Sequence, residues 1–184
     1  RSPVYTAGYN DLHKKYLTLG VNGIVESAEF AGKFILKDSD MAIKPDSKAY
    51  AGYISKLCGT IADQNKKDRT EKLRFNTECV PAESLAAKNA KWDKEDGYWV
   101  PRDVYNSYFY VVEDPSTSVL DKLALHGTNF TGNLDGGSAA HINLQDHLSK
   151  DQYRKLLTVS VVDGAPYWTI NVPNTICNKC GFIS

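Results

Sequence analysis

The sequence predicts an α/β fold that contains a parallel pair of strands. The main observation is a strand–helix–strand pattern between residues 139 and 172, in which two strand-like segments (AAHINL and YWTINV) flank a helical one. Such a pattern, spread over about 35 residues, forms a βαβ unit with a parallel pair and a right-handed crossover. The second observation is the segment 73–80 (LRFNTECV), a predicted strand that runs directly into a predicted helix at Pro81.

The first third of the chain is predicted to be mainly helical. Residues 9–32 form a helix-rich entry that is interrupted at Gly20 and Gly23. Residues 45–47 (PDS) open the clearest helix, because apolar residues then recur at three- and four-residue steps. The charged residues 64–71 predict its solvated end and a loop. The apolar stripe, which we expect in the core, consists of Tyr50, Tyr53, Ile54, Leu57, Cys58 and Ile61.

The second half is predicted to alternate short helices with strands and loops. Pro81 at the first helical position and Glu83 in the first turn predict a helix start. Ser149 and Gln152 form a capping box at the start of the last helix, which ends at Gly164. The other predicted segments are a helix over 81–88, a polar turn at 92–97, an aromatic-rich segment under a neighbouring layer at 98–114, a helix at 119–125 and a loop at 127–137.

Composition excludes several classes of protein. The 184 residues are 42% hydrophobic and 24% charged, which is typical of a globular protein with a core. The formal net charge is zero, which gives no general electrostatic reason to bind nucleic acid or an anionic membrane. No apolar run approaches the roughly 20 residues that span a bilayer. Because the chain starts at Arg1 without an initiator Met, we expect it to be a piece of a longer polypeptide.

Four cysteines raise the question of a metal or a disulfide. Cys58 lies on the apolar stripe, where a thiol packs as a small hydrophobic group, and the sparse cysteine usage favours a reducing, cytosolic compartment. Cys177 and Cys180 form a C-x-x-C followed by Gly181, a spacing that suits half of a zinc site. The pair also fits a redox-active dithiol or two unliganded thiols. The other two zinc ligands would have to come from elsewhere, and Cys58 and Cys79 qualify only if the fold brings them close.

Residues 76–83 predict an anion site. A strand there feeds the N-terminus of a helix, where free amides and the helix dipole suit a phosphate or a carboxylate. The alternative is that Glu83 already occupies this end as a capping anion.

Two further groups of residues give only weak evidence of a catalytic or metal site. Asp135, Ser138 and His141 invite a hydrolase interpretation, but Ser138 lacks the G-x-S-x-G elbow and His141 lies within the predicted strand. The charged segment 93–96 (DKED) lacks the ligand spacing of a calcium loop, so we expect a solvated turn.

A series of segments, in order, resembles one protein family. It comprises residues 19–24 (LGVNGI), 76–83 (NTECVPAE), 92–97 (WDKEDG), 100–107 (VPRDVYNS), 134–139 (LDGGSA), 169–172 (TINV) and 177–181 (CNKCG). Together they resemble the C-terminal part of the catalytic subunit of an anaerobic (class III) ribonucleoside-triphosphate reductase. The resemblance covers essentially the whole chain.

The resemblance implies an architecture and a set of site residues. Residues 1–172 would form the C-terminal portion of a ten-stranded α/β barrel of the glycyl-radical type. Residues 173–184 would be the truncated first half of a zinc-binding module, in which Cys177 and Cys180 are two of four cysteine ligands. The turn at 76–84 resembles the place where these barrels meet the substrate phosphates. Its expected donors are the backbone amides of Ala82, Glu83 and Ser84.

The implied activity is the conversion of ribonucleoside triphosphates to deoxyribonucleotides. In the family a radical-SAM activase makes a glycyl radical, which generates a thiyl radical; this takes the 3′ hydrogen, and the 2′ hydroxyl leaves as water. The finger-loop cysteine, the second C-x-x-C and the radical glycine are expected outside this chain, so Cys79 is not the radical cysteine. We therefore expect a cytoplasmic, homodimeric full-length enzyme and a fragment that is inactive alone. The rival hypotheses are a stand-alone zinc-binding interaction module and a thiol–disulfide oxidoreductase.

Overall fold

The computed structural model describes residues 2–11, 15–36, 41–79 and 81–182. Its helices are α1 Pro3–Thr6, α2 Ile24–Phe30, α3 Lys48–Asp68, α4 Glu83–Glu95, α5 Val119–Leu125, α6 Thr128–Thr131 and α7 Lys150–Asp163. Its strands are β1 Tyr16–Gly20, β2 Arg74–Cys79, β3 Gly137–Ser138, β4 Ala140–Asn143 and β5 Trp168–Asn171. A π-helical segment, Ala31–Ile35, continues α2. The predicted strand end at Val80 and the last two residues of the predicted zinc half-site lie outside the described residues.

All strand pairs in the described residues are parallel, and the pair of β4 and β5 is the one that the sequence predicted. β1, β2 and β3 form one sheet in that order, and β4 pairs with β5 in a second sheet. The two sheets meet at Ala139, whose amide donates to the carbonyl of Cys79, while the amide of Ala140 donates to Tyr167. These five strands do not close into a barrel. The α/β class with parallel sheets is thus confirmed, and the ten-stranded barrel stays a prediction.

The βαβ unit is confirmed with its helix-terminal signals. β4 pairs in parallel with β5, and α7 connects them. At the start of α7 the Ser149 hydroxyl accepts from the Gln152 amide, and the Gln152 side chain accepts from the Ser149 amide. At its end Gly164 has a φ of 70°, in the left-handed region that favours glycine.

The core is built around aromatic side chains. The segment at 98–114 is irregular, yet its residues Tyr108, Phe109 and Tyr110 are buried, as the aromatic-rich pattern predicted. The Tyr50 hydroxyl donates to the carbonyl of Phe109 at 2.7 Å, which ties α3 to this segment. A smaller cluster lies between α5, α7 and the second sheet and is centred on Ile142.

The apolar stripe of α3 is only partly core. Tyr50, Ile54 and Cys58 are fully buried, whereas the neighbouring positions 53, 57 and 61 are half-buried and line a broad groove between α2, α3 and α4. The predicted solvated end is also corrected at one residue. Asn65 is buried because its side-chain amide donates to the Thr77 hydroxyl at 2.8 Å.

Three element predictions are wrong in part. Residues 16–20, within the helix-rich entry, form β1, because pairing with all but the last residue of β2 satisfies their backbone groups. α4 starts at Glu83 rather than at Pro81 and continues to Glu95 through the predicted polar turn, since Ala86 and Ala90 pack against the core. The predicted loop at 127–137 contains the short helix α6.

One side of the strands is left polar. Cys79 lies beside Ser138 in the strand register, and Ser138, Ala140 and Ile142 are all buried. Successive strand residues point to opposite sides, so Glu78 and the exposed His141 and Asn143 share the other side. No helix in the described ranges is long and apolar enough to cross a membrane.

Candidate functional site

The polar side of the strands carries a row of amide and hydroxyl groups. The Thr18 hydroxyl donates to Asn76 Oδ1 at 2.7 Å, and Asn171 Nδ2 donates to Asn143 Oδ1 at 3.1 Å. At one end the row meets a cavity of about 370 Å³, lined among others by Glu83, Ser107, Tyr108, His141, Asn143 and Asn171. The N-terminus of α4 therefore lies at the edge of this cavity.

The turn from β2 to α4 keeps free backbone donors. The residue before α4 is Ala82, which has no side chain that could cap the helix. Its amide donates to the Ser107 hydroxyl at 3.2 Å, and the first amide bonded within the helix is that of Ala86. Within the part of the chain that the structure describes, the amides of Glu83 and Ser84 have no acceptor. Such amides, together with the helix dipole, favour an anion.

Glu83 places a negative charge at the same position. Its side chain is exposed and lines the cavity. Burial raises the pKa of Tyr108 to about 12, and the nearby Glu83 carboxylate adds to this rise. The three predicted donors are thus together, but Ala82 is already bonded and Glu83 would repel a phosphate.

A buried carboxylate anchors the segment that lines this cavity. Glu26 is 5% exposed and accepts hydrogen bonds from the Asn106 amide, from Asn106 Nδ2 at 2.6 Å and from Arg102 Nη1 at 3.2 Å. Arg102 also makes two 2.6 Å bonds to Glu29, which raise the pKa of its guanidinium. Asn106 Oδ1 accepts from the Val112 amide.

Sequence reasoning missed these supporting residues. The sequence motif at residues 100–107 indicates no role for Asn106 or Ser107, and no motif includes Glu26. The available signal was a carboxylate directly after two apolar residues of α2 (Ile24 and Val25 in IVESAEF), because a charge beside a buried apolar face needs a partner.

The C-terminal tail forms a turn that suits a thiolate pair. Cys177 and Cys180 are exposed, the Gly181 amide donates to the Cys177 carbonyl at 2.8 Å, and Gly181 has a φ of 73°. Hydrogen bonds from the Cys180 and Lys179 amides, and a smaller contribution from the Cys180 side chain, lower the pKa of the Cys177 thiol. Amides directed at a sulfur stabilise a thiolate, which is the form that binds a metal.

The described residues do not complete a metal site. They contain no group of three or more His, Cys, Asp or Glu side chains placed to hold an ion. Cys58 and Cys79 lie in the core, where burial raises the pKa of their thiols to about 11 and about 12, so they are not the missing ligands. The tail fits half of a tetrahedral zinc site.

The fold separates the residues of the predicted hydrolase and calcium-loop constellations. Ser138 is buried, whereas His141 is exposed on the other side of the strand. The Asp135 carboxylate accepts a hydrogen bond from the Thr77 amide at 2.8 Å, so it stabilises the turn before β3. Asp93 lies on α4 and accepts from the Tyr105 hydroxyl at 2.7 Å.

Comparisons with known proteins identify the group to which this architecture belongs. Solved anaerobic ribonucleotide reductases share the fold. The structure of the Thermotoga maritima enzyme in complex with dATP and CTP superposes with a TM-score of 0.79 at 24% identity, over 99% of this chain and 30% of that one. A second anaerobic ribonucleotide reductase gives 0.79 at 24% identity, over 99% and 28%. The Thermotoga maritima enzyme with MES in the active site gives 0.77 at 23% identity, over 99% and 30%.

The family assignment covers the tail as well as the sheets. The sequence model of the anaerobic ribonucleoside-triphosphate reductase family matches residues 4–184, and the chain therefore belongs to that family. The chain spans about 30% of the length of the solved structures. No curated protein matches the chain significantly.

Proposed function

We propose that this chain is the C-terminal portion of the barrel of an anaerobic ribonucleotide reductase, inactive alone, and that the complete protein converts ribonucleoside triphosphates to deoxyribonucleotides. The observation that carries the proposal is the family match over residues 4–184 on a chain that folds like solved reductases. One such reductase is described in complex with dATP and CTP, which supports nucleotides as the ligands. The match gives no support to a stand-alone zinc module or to a thiol oxidoreductase.

The chain's own contribution is to bind and orient the substrate. The polar side of the strands would form one wall of the substrate cavity, and the start of α4 would receive the phosphates. The amides of Glu83 and Ser84 are the available donors, and Ala82 fixes the turn through its bond to Ser107. A bound phosphate must outweigh the Glu83 charge, which a metal ion carried by the nucleotide would help to neutralise.

The radical chemistry is proposed to come from outside this chain. A glycyl radical, installed by a radical-SAM activase, would supply the hydrogen abstraction that starts the reduction. The residues described here would hold the ribonucleotide in place for that step and limit the access of water to it. A homodimer of the complete protein and a cytoplasmic location complete the proposal.

Cys177 and Cys180 are proposed as two of four zinc ligands. The other two would lie in the complete protein beyond the described tail, so that residues 173–184 are the first half of the zinc-binding module and residues 1–172 belong to the barrel. In the complete protein, Cys177→Ser should lower the zinc content from about one ion per chain to well below half, as measured by mass spectrometry of the metal. Cys58→Ala is the matched control and should leave it unchanged. Unchanged zinc in the Cys177 variant would refute the assignment.

A pair of variants tests the phosphate site in the complete, activated protein. Glu83→Pro removes the charge and the amide donor at the first helical position, where proline is tolerated, whereas Glu83→Ala removes the charge alone. Relative to Glu83→Ala, we expect the proline variant to raise the inhibition constant of tripolyphosphate about 10-fold or more, since a hydrogen bond to a charged group is lost. Equal constants in the two variants would refute the site.

A further inference from the structure

Ser107 holds both ends of the turn between β2 and α4. Its hydroxyl oxygen accepts from the Ala82 amide at 3.2 Å, and its carbonyl oxygen accepts from the Cys79 thiol at 2.9 Å. Cys79 is the last residue of β2, and Ala82 directly precedes α4. Because Ser107 is only 4% exposed, water competes little for these bonds.

The same hydroxyl is held from a second direction. Asn22 Nδ2, in the connection between β1 and α2, donates to Ser107 Oγ at 2.8 Å. Behind Ser107, the neighbouring residue Asn106 is fixed by three hydrogen bonds to the buried Glu26 carboxylate. The position of Ser107 is therefore set by the packed helix α2 rather than by its own irregular segment.

This arrangement differs from a local helix cap. Helices usually begin after Ser, Thr, Asp or Asn, whose side chain bonds an amide of the first turn. α4 begins after Ala82 and has no such cap. The amides of Glu83 and Ser84 have no acceptor among the described residues, while a serine distant in sequence binds the amide of Ala82. Cys79 and Ala82 are thereby held in place by Ser107 without the use of the Glu83 and Ser84 amides.

We propose that Ser107 is the positioning residue of the anion site at the start of α4. It directs the amides of Glu83 and Ser84 into the cavity that Ser107 itself helps to line. The ligand class is the polyphosphate part of a nucleotide, and in this respect the inference rests on the proposed function. Ser107 acts through the turn and does not itself need to contact the phosphate.

The test is the inhibition of the complete, activated protein by tripolyphosphate, which carries neither ribose nor base. Ser107→Ala removes the acceptor of the Ala82 amide, and we expect it to raise the inhibition constant about 5- to 30-fold. The kcat at saturating ribonucleotide should change less than about 2-fold, since a binding interaction common to ground and transition states affects KM alone. A general loss of stability would not produce this split.

Ser118→Ala is the matched control. The Ser118 hydroxyl accepts from the Asp121 amide at 3.1 Å as the cap of α5, so its loss removes a comparable bond away from the turn. It should lower the melting temperature and leave the inhibition constant unchanged. If Ser107→Ala does not fold, Asn22→Ala removes the 2.8 Å donor to the same hydroxyl, and we expect a rise of about fivefold.

The outcomes separate the two proposals. Suppose that Glu83→Pro weakens inhibition by tripolyphosphate but Ser107→Ala leaves the inhibition constant unchanged. The phosphate site then stands and the role of Ser107 is overturned. The same conclusion holds for Asn22→Ala where that variant is used. If the Glu83 variants also leave inhibition unchanged, the phosphate site and the positioning role both fall. Equal changes in Ser107→Ala and Ser118→Ala would show that stability alone is responsible, and would likewise overturn the inference.

Discussion

Replacing Glu26 by glutamine should release the segment that lines the cavity beside α4. The carboxylate is 5% exposed and accepts from the Asn106 amide, from Asn106 Nδ2 and from Arg102. A glutamine offers one acceptor oxygen and places an NH₂ group against these donors. Each lost bond to a charged group costs about 1.5–3 kcal/mol, and breaking a buried ion pair costs about 3–5 kcal/mol.

The remaining bonds of Arg102 reduce that cost. Its guanidinium keeps two 2.6 Å bonds to Glu29, so it is not left unpaired. We therefore expect Glu26→Gln to lower the free energy of unfolding by about 2–4 kcal/mol. Urea denaturation measures the loss, and hydrogen exchange of peptides covering residues 102–113 should show that it centres on this segment.

Glu29→Gln is the control for this prediction. Its ion pair with Arg102 is about one-quarter exposed on both sides, at 27% and 26%, so solvent screens it and the loss should be about 1 kcal/mol. A Glu26 variant no less stable than the Glu29 variant, or one with unchanged exchange at 102–113, would contradict the anchoring role.

Two further perturbations test the packing. Burial lowers the pKa of His126 from 6.5 to about 4, so the unfolded chain binds a proton that the folded protein excludes. The free energy of unfolding should fall as the pH drops from about 6.5 towards 4, by about 3 kcal/mol in total. Urea titrations of His126→Gln should lack this part of the slope, and an equal slope would refute the reasoning. Gly164→Ala should cost about 2 kcal/mol or more, because φ is 70° and the new methyl group would collide with the Thr128 hydroxyl. Gly97→Ala, at a φ of 79° in open space, should cost about 1–2 kcal/mol; equal melting temperatures of the two variants would rule out the clash.

Local sequence signals predicted the structure correctly where a few neighbouring residues determine the backbone conformation. The capping box at Ser149, the left-handed Gly164 and the strand at β2 were predicted from a few neighbouring residues each, and the structure contains them. β1 was missed for the opposite reason. Its residues are all exposed, and its strand conformation comes from pairing with β2, which is distant in sequence.

The candidate site shows the same division. The motif at 76–83 and the C-x-x-C could be read from the chain, because a helix start and a cysteine pair are local patterns. The residues that hold the site in place could not be predicted from local patterns. Glu26, Asn106 and Ser107 come together only when α2 packs against the segment at 98–114.

The sequence by itself thus determined the α/β class, the parallel βαβ unit, the family resemblance and the positions of the candidate ligands. The tertiary structure alone decided that Cys79 is buried in the core, whereas the apolar stripe had already predicted the burial of Cys58. It also decided that the Ala82 amide is bonded to Ser107, while those of Glu83 and Ser84 have no acceptor among the residues that the structure describes. The physical reason is that helix signals and residue spacing act over a few residues. Burial and hydrogen-bond partners depend on groups that lie 25 to 80 positions apart and meet only on folding.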